Sequence, residues 1–562
     1  MAATDGGSQQ GWSRDGGPVG QGGPGGGLSG AGGQGGPSGF GGPEGGGDPA
    51  VPGRPGGPGR PGGALGTLLR TKSVEQSIAD TEEPEHRLRK SLSWLDLVVF
   101  GVGVVIGTGI FVLTGTAAKN YAGPAVVFSF VTAGIVCALA ALCYAEFAST
   151  VPVAGSAYTF SYASLGELPA WIIGWDLVLE LALGASVVAV GWSGYVQSLL
   201  ASGGMHLPDA IRGGSGHGAT FDVLAAALVL LLTGVLVLGM KLSARVTSVI
   251  VAVKVTVVLL VIIAGLFFIH GANYHPFVPP AQGTSTGGTG AGQSLLSWMA
   301  GWSPTTFGVM GIFTAASVVF FAYIGFDIVA TAAEETRRPQ RDLPRGIIGS
   351  LVICTILYVA VSAVVTGMQH YTQLSDSAPL ADAFKSVGQN GWADVISVGA
   401  VAGLTSVTMI LLLGQSRVFF AMSRDGLLPK AFSDVHPRYG TPWKSTVLMG
   451  VVCAIVAGLV PLEELSKLVN IGTLFAFVLV SIGVVVLRRT RPELPRSFRT
   501  PWVPVLPVLS VLACLWLMVN LTVETWIRFL IWLAVGLLIY FGYGRRSSRL
   551  GRRLRSGGAS RS

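Results

Sequence analysis

Charge is scarce in this chain. Only 12% of its 562 residues are Asp, Glu, Lys or Arg, about half the share usual in soluble domains, while 50% are hydrophobic. Water is thereby excluded as the main solvent of the fold. Cysteine is sparse too: Cys137, Cys143, Cys354, Cys453 and Cys514 all lie in apolar stretches without Cys-x-x-Cys spacing, so they read as small buried hydrophobes. Neither a disulfide framework nor a zinc site is implied. The seven His are scattered, and no nucleophile stands at motif spacing from a base, which argues against an enzyme and against a bound metal or organic cofactor. A net charge of +8 might suggest nucleic acid, but the basic residues are spread over many connections rather than gathered in one patch.

Apolar stretches are what the chain has in abundance. A helix needs roughly 20 apolar residues to cross a hydrocarbon core of about 30 Å. Such stretches are expected at 94–117, 125–149, 169–200, 222–240, 246–270, 307–334, 346–369, 393–422, 445–461, 466–488, 502–522 and 525–543. The expected architecture is therefore an all-α membrane protein of twelve transmembrane helices. Residues 1–70 form a Gly/Pro-rich segment that cannot bury enough apolar surface to fold, and is expected to be a disordered tail. A basic pre-helix segment follows at 71–93, then a ten-helix core at 94–488, two appended helices within 489–543, and a basic tail at 544–562.

Twelve crossings put both termini on one side. That side carries 30 of the 37 Lys and Arg, against five in the opposite loops, Lys119, Arg212, Lys385, Lys467 and Arg528. By the positive-inside rule both termini are cytoplasmic. The long connection 271–306 lacks Lys and Arg and reads as a flexible external loop.

Two interruptions carry the chemistry. In the first span Gly101, Gly103, Gly107 and Gly109 crowd mid-membrane, where each glycine weakens a helix by about 1 kcal/mol relative to alanine. Opened backbone at that depth is tolerated where it lines a cavity, although Gly103-x-x-x-Gly107 also fits close helix packing. A second interruption, Phe320 to Asp327, falls five spans later. An odd separation makes the two broken helices antiparallel, the arrangement an inverted repeat of five helices generates, with a binding site between its halves. Discontinuous helices offer N–H groups to a carboxylate and carbonyls to an ammonium, which suits a zwitterionic amino acid.

Charges inside spans are costly and so stand out. Lys254 lies roughly 12 Å deep in the fifth span; it could snorkel to the inner interface, but the preferred reading turns it into the bundle as the carrier of one exchangeable proton. Glu180 in the third span could pair with a cation or relay a proton. Glu146 and Asp176, nearer the inner ends of their spans, are read as structural polar contacts without a role. Glu334 to Pro344, with Arg337, Arg338 and Arg341 among them, reads as a structured inner loop in which the acidic pair could latch a gate, or as a merely solvated loop. Trp175, Trp192 and Trp443 read as interfacial anchors.

These residues resemble the cationic amino acid transporter branch of the amino acid, polyamine and organocation superfamily, over about 90–543. The resemblance rests on Gly103 to Phe111, Ala122 to Ala125, Cys143 to Phe147, Pro152 to Tyr158, Phe321 to Asp327 with Leu343 and Pro344, and Gly414 to Gly426. It implies the fold of the bacterial leucine transporter, a 5+5 inverted repeat with broken helices 1 and 6, plus two further helices. It also implies that Ile106, Gly107, Thr108 and Gly109 take the carboxylate and amino group of the substrate, and that Phe321, Ala322, Ile324 and Phe326 line the opposite wall. Lys254 aligns with a lysine that replaces a sodium ion in bacterial members, and Glu180 with an acidic residue of the third helix. The eighth span, Thr405 to Leu411, offers no acidic partner for a cationic side chain, so a neutral amino acid is at least as well suited.

The resulting expectation is an amino acid permease of the plasma membrane, a multi-pass protein working by alternating access with the proton as coupling ion. An amino acid exchanger, a sodium symporter and a non-transporting amino acid receptor remain open alternatives. The expected partners are a small-molecule amino acid and the lipid bilayer, not nucleic acid.

Overall fold

The computed structural model describes residues 92–151, 156–213, 221–239, 244–283, 291–303 and 305–552. The Gly/Pro-rich tail 1–70 lies outside them, as does the basic segment 71–93 up to Leu92.

The described chain is helical nearly throughout. In chain order come α1 (Trp94–Val105), α2 (Val126–Thr150), the short α3 (Ser156–Ser164), α4 (Glu167–Ser202), α5 (Val223–Val237), α6 (Ala244–Gly265) and α7 (Gly308–Val319). They are followed by α8 (Pro339–Met368), α9 (Pro379–Ser386), α10 (Asn390–Arg424), α11 (Trp443–Leu459), α12 (Leu462–Thr490), α13 (Val505–Val519) and α14 (Val523–Ile539). Among the described residues eight helical stretches are long and apolar enough to cross a membrane. Four shorter apolar helices, α1, α5, α11 and α13, accompany them. Uniform apolar composition is the reason for helix here, because in lipid only a helix satisfies its own backbone groups within one segment.

The two longest helices, α4 with 36 residues and α10 with 35, pack along each other at the centre. At 1.5 Å per residue each runs on the order of 50 Å, longer than a hydrocarbon core. In α4 the most apolar window is 94% buried, whereas in Ser248–Phe268 it is 33% buried. A helix buried on every side can hold polar groups in its interior, and α4 carries Glu167, Asp176, Glu180, Ser186 and Ser193 buried. Around this pair α1 and α2 pack on α8, α6 packs on α10 and α1, and α12 packs on α4.

Several expectations shift. The inner segment expected to be a loop up to Pro344 is helix from Pro339, because a proline at a first helical position costs no backbone bond. The external connection is not uniformly loose: Gln282 and Gly283 pair with Thr306 and Thr305, and Leu295–Ala300 is a helix whose N-cap Ser294 accepts from Ser297 N–H. The stretches 284–290 and residue 304 lie outside the described residues. Trp175 is not an interfacial anchor; it is 7% exposed, stacks on Trp532 with centroids 4.4 Å apart, and donates to the Trp532 carbonyl. Part of the basic tail is packed: Ser548 Oγ donates to the buried Glu167 carboxylate at 2.6 Å, and Arg549 N–H to Asp425 O at 3.0 Å. The contact expected of Glu146 is there, with Arg488 donating to both carboxylate oxygens at 2.8 and 2.7 Å and the Thr500 N–H at 2.8 Å.

Candidate functional site

α1 ends in mid-bundle. Its C-cap Ile106 turns to φ −70°, ψ 98°, Gly107 continues the bend, and helical structure resumes with Gly109–Leu113. A helix that stops there leaves its last carbonyls without intrahelical donors. Side chains from two other helices supply them. Lys254 of α6, 0% exposed, donates from Nζ to Gly103 O at 2.6 Å and to Ile106 O at 3.4 Å. The Tyr358 hydroxyl of α8 donates to Val105 O at 2.7 Å. Beyond the break, the Tyr195 hydroxyl of α4 donates to Phe111 O at 2.6 Å. Lys254 therefore turns inward rather than snorkelling, with its stem against Gly403 of α10, where a Cβ would lie 2.9 Å from Lys254 Cγ.

The sixth span breaks differently. α7 passes into the tight turn Phe320–Tyr323, Ile324 is extended at ψ 135°, Gly325 takes φ +114°, and Asp327–Glu335 resumes as a 3₁₀ helix. Only glycine adopts that φ without strain, and a Cβ on Gly325 would also meet Val104 Cγ1 at 2.7 Å. The two interruptions touch: a Cβ on Gly109 would stand 2.2 Å from Ala322 Cα. The structure thus brings Ile106, Gly107, Thr108 and Gly109 together with Phe321, Ala322, Ile324 and Phe326, all buried. The Thr108 hydroxyl, 0% exposed, has no hydrogen-bond partner among the described residues.

Helix ends meeting in this way can do two things. The start of the outer half of the first span presents N–H groups to an anion, and the end of α7 presents carbonyls to a cation. On the α1 side the carbonyls of Gly103, Val105 and Ile106 already accept from Lys254 and Tyr358, and Gly107 O accepts from the N–H groups of Ile110 and Phe111. The first span is thereby left chiefly as a donor.

Among the described residues Glu180 forms no hydrogen bond or ion pair with Lys254; it lies with Asp176, Asp327 and Tyr144. Sequence reasoning missed Tyr195, Tyr358 and Tyr144. A tyrosine in an apolar span is a weak signal, since its ring packs like phenylalanine and only the hydroxyl asks for a partner. The acidic pair expected at the inner end of the sixth span is legible only in main chain: Leu92 N–H donates to Glu335 O at 3.0 Å and Arg337 N–H to Leu92 O at 3.0 Å. The Glu334 side chain lies outside the described residues.

A further cavity of ≈ 340 Å³ lies beside α7 and reaches Val318, just before the sixth-span break; it is bordered by Asn120, Tyr121, Thr314, Lys467 and Asn520 together with the connection at Gly292–Ser297. Lys467 is paired with Glu463 at 2.8 Å, and the Tyr121 hydroxyl donates to the same carboxylate. With its charge compensated in this way, the cavity presents hydroxyls and amides rather than a free cation.

Comparison with known proteins gives the family. The family described as Amino acid permease matches residues 92–542. The Methylthioribose transporter of Bacillus subtilis (strain 168) is 47% identical over 488 residues, covering 86% of this chain and 100% of the relative. The Branched-chain amino acid permease BcaP of the same organism is 48% identical over 490 residues, covering 86% and 99%. The Cationic amino acid transporter 4, vacuolar, of Arabidopsis thaliana is 39% identical over 432 residues, covering 76% and 68%. With two broken helices meeting inside an apolar bundle, the family match over 92–542 and the two Bacillus relatives covered almost in full, the chain belongs to the amino acid permease family, and it is a multi-pass membrane transporter rather than an enzyme.

Proposed function

We propose that this permease takes up a neutral, apolar L-amino acid by alternating access, coupled to a proton. The observation that carries the reading is the meeting of the two interrupted helices at Gly109 and Ala322, with Lys254 filling the carbonyl positions of α1. The substrate carboxylate is bound by the N–H groups at Gly107, Thr108 and Gly109 and by the Thr108 hydroxyl. Its ammonium is bound mainly by carbonyls at Phe321 and Ala322, with Ile324 and Phe326 completing the wall. Lys254 and Glu180 are the proton-coupling residues. An ammonium held between Gly103 O and Ile106 O occupies the carbonyls a sodium ion would need, which favours the proton.

A neutral side chain is read from the eighth-span stretch Thr405 to Leu411, which holds no acidic residue, and from Val407 in it, which a Cβ on Gly107 would meet at 3.6 Å. The name of the 48% identical relative, a branched-chain amino acid permease, points the same way. The architecture that accommodates this cycle is twelve crossings in a 5+5 inverted repeat with two appended helices and both termini cytoplasmic. The paired interruptions five spans apart and the 30-to-five distribution of Lys and Arg support it.

A thio-sugar substrate is the second reading, suggested by the name of the 47% identical relative. Uptake into sodium-free proteoliposomes with an inside-alkaline gradient separates the readings, using labelled leucine, arginine and methylthioribose. Gradient-driven accumulation of leucine is expected. Accumulation of methylthioribose instead would overturn the substrate; flux only with sodium or internal counter-substrate would overturn the coupling; binding without flux would indicate a receptor.

A further inference from the structure

The most anomalous polar groups in the bundle are not at Lys254. Asp176 and Glu180 stand four residues apart, on one face of α4, at 0% and 2% exposure. Asp327 of the sixth span lies within electrostatic reach of Glu180, and the Tyr144 hydroxyl of α2 within reach of all three carboxyl groups. α12 supplies Thr473 beside the Glu180 carboxyl and Gly472 beside Asp176, where a Cβ would lie 2.6 Å from Asp176 Oδ1. From α13, Cys514 lies within reach of Tyr144. Among the described residues no Lys or Arg acts on Asp176, Glu180 or Tyr144.

Neither oxygen of Asp176, nor Glu180 Oε1, nor the Tyr144 hydroxyl has a hydrogen-bond partner among the described residues. Tyr144 is itself 0% exposed, so a phenol able to donate or accept stands unused beside the carboxyl groups. Two buried carboxyl groups one turn apart on a helix, with oxygens left unpaired, can take up a proton and pass it along the helix.

We propose that Asp176 shares with Glu180 the proton carried with each substrate molecule, the pair and the Tyr144 hydroxyl forming a proton-binding site separate from Lys254. The proposal rests on the proton-coupled reading above. Asp176 lies about 6 Å further along α4 toward Glu167 than Glu180 does, which is the inner end in that topology. The proton enters on Glu180 while the site is open to the outside, passes to Asp176, and leaves by cleavage of the Asp176 O–H bond to water on the inner side. No electron transfer or further reactant is involved.

Asp176→Asn in proteoliposomes is the test, read by gradient-driven accumulation and by counterflow exchange of labelled leucine. Accumulation is expected to fall at least about tenfold while exchange stays within roughly twofold, and KM is expected to lose its dependence on external pH. Parent-like accumulation would overturn the proposal, and so would equal loss of both activities, which marks a structural role. Asp176→Glu keeps the carboxyl but moves it, and is expected to remain coupled with a displaced pH profile; an unchanged profile would overturn the proposal even where Asp176→Asn does not fold. A parent protein without any gradient-driven accumulation would sink the coupling reading itself, an outcome separate from all of these.

Discussion

The two interrupted spans reach the same end by different means. The first is held open from outside: Lys254, Tyr358 and Tyr195, from three different helices, donate to carbonyls on both sides of the gap. The sixth is held by its own backbone and by packing, through Gly325 at φ +114° and the rings of Phe326, Tyr144 and Phe477 in mutual contact. Asn470 braces it before the break, donating to Ser317 O at 2.7 Å and Val318 O at 3.0 Å, and Tyr323 in the turn itself donates outward, to Phe130 O at 2.8 Å. A span held by hydrogen bonds is sensitive to the loss of a single polar atom. A span held by steric fit is sensitive to the gain of one methyl group.

The largest expected effect sharpens the steric half of that contrast. Gly109→Ala places a methyl group 2.2 Å from Ala322 Cα, a clash with backbone that no rotamer change relieves. Leucine uptake should fall by on the order of a hundredfold, from overpacking that costs about 1–3 kcal/mol in the folded state and more at a site where both halves must fit a substrate. Gly325→Ala follows closely, because it adds backbone strain of about 1–3 kcal/mol to a contact at 2.7 Å with Val104. Uptake at saturating leucine, compared in proteoliposomes of equal protein content, checks both. Parent-like flux in Gly325→Ala would mean that the sixth span tolerates another turn there and the contrast is false.

Next comes the polar half. Lys254→Met keeps the length of the stem but leaves Gly103 O and Ile106 O without their donor. Each buried acceptor left unpaired costs about 1–3 kcal/mol, so a drop in uptake of ten- to a hundredfold is expected, roughly. If the ammonium excludes sodium by occupying those carbonyls, the variant should also acquire a sodium dependence that the parent lacks. Flux measured with and without sodium decides it.

Much of this was legible in the sequence. The interruptions were legible as a pair: the glycines of the first span fit close helix packing equally well, and the second interruption, Phe320 to Asp327 five spans later, turned the reading toward a cavity. Lys254 was equally visible, since a lone charge in Val-rich sequence must be resolved somewhere. What stayed hidden depends on partners far away in the chain. Tyr358 meets Val105 across 253 positions, and nothing local distinguishes it from a ring that merely fills space. Asp176 looked hydrated because it was counted from the end of its span, yet the most apolar window of α4 is 94% buried and Asp176 is 0% exposed. The loop read as flexible holds a short helix and a strand pair, for the same reason: Ser294, Leu295 and Val523 are tied across the molecule, with Leu295 N–H donating to Leu521 O at 2.9 Å.

The two tyrosines give the smallest and most discriminating effects. Tyr358→Phe removes one hydroxyl and leaves Val105 O, at the very end of α1, with no donor from α8. Tyr195→Phe does the same for Phe111 O, which lies in resumed helical structure two residues past Gly109. A buried carbonyl at a helix end has no intrahelical alternative, whereas one inside a helical stretch can recover a donor from the following turn. Tyr358→Phe should therefore raise KM by roughly tenfold, near 1.4 kcal/mol, and Tyr195→Phe by roughly threefold, with kcat changing less than KM in both. Equal shifts in the two variants would mean that the hydroxyls merely stabilise the fold. A larger shift in Tyr358→Phe would locate the constraint at the break itself, where the carbonyl is oriented away from the substrate and the N–H groups of Gly107 to Gly109 are left to receive the carboxylate.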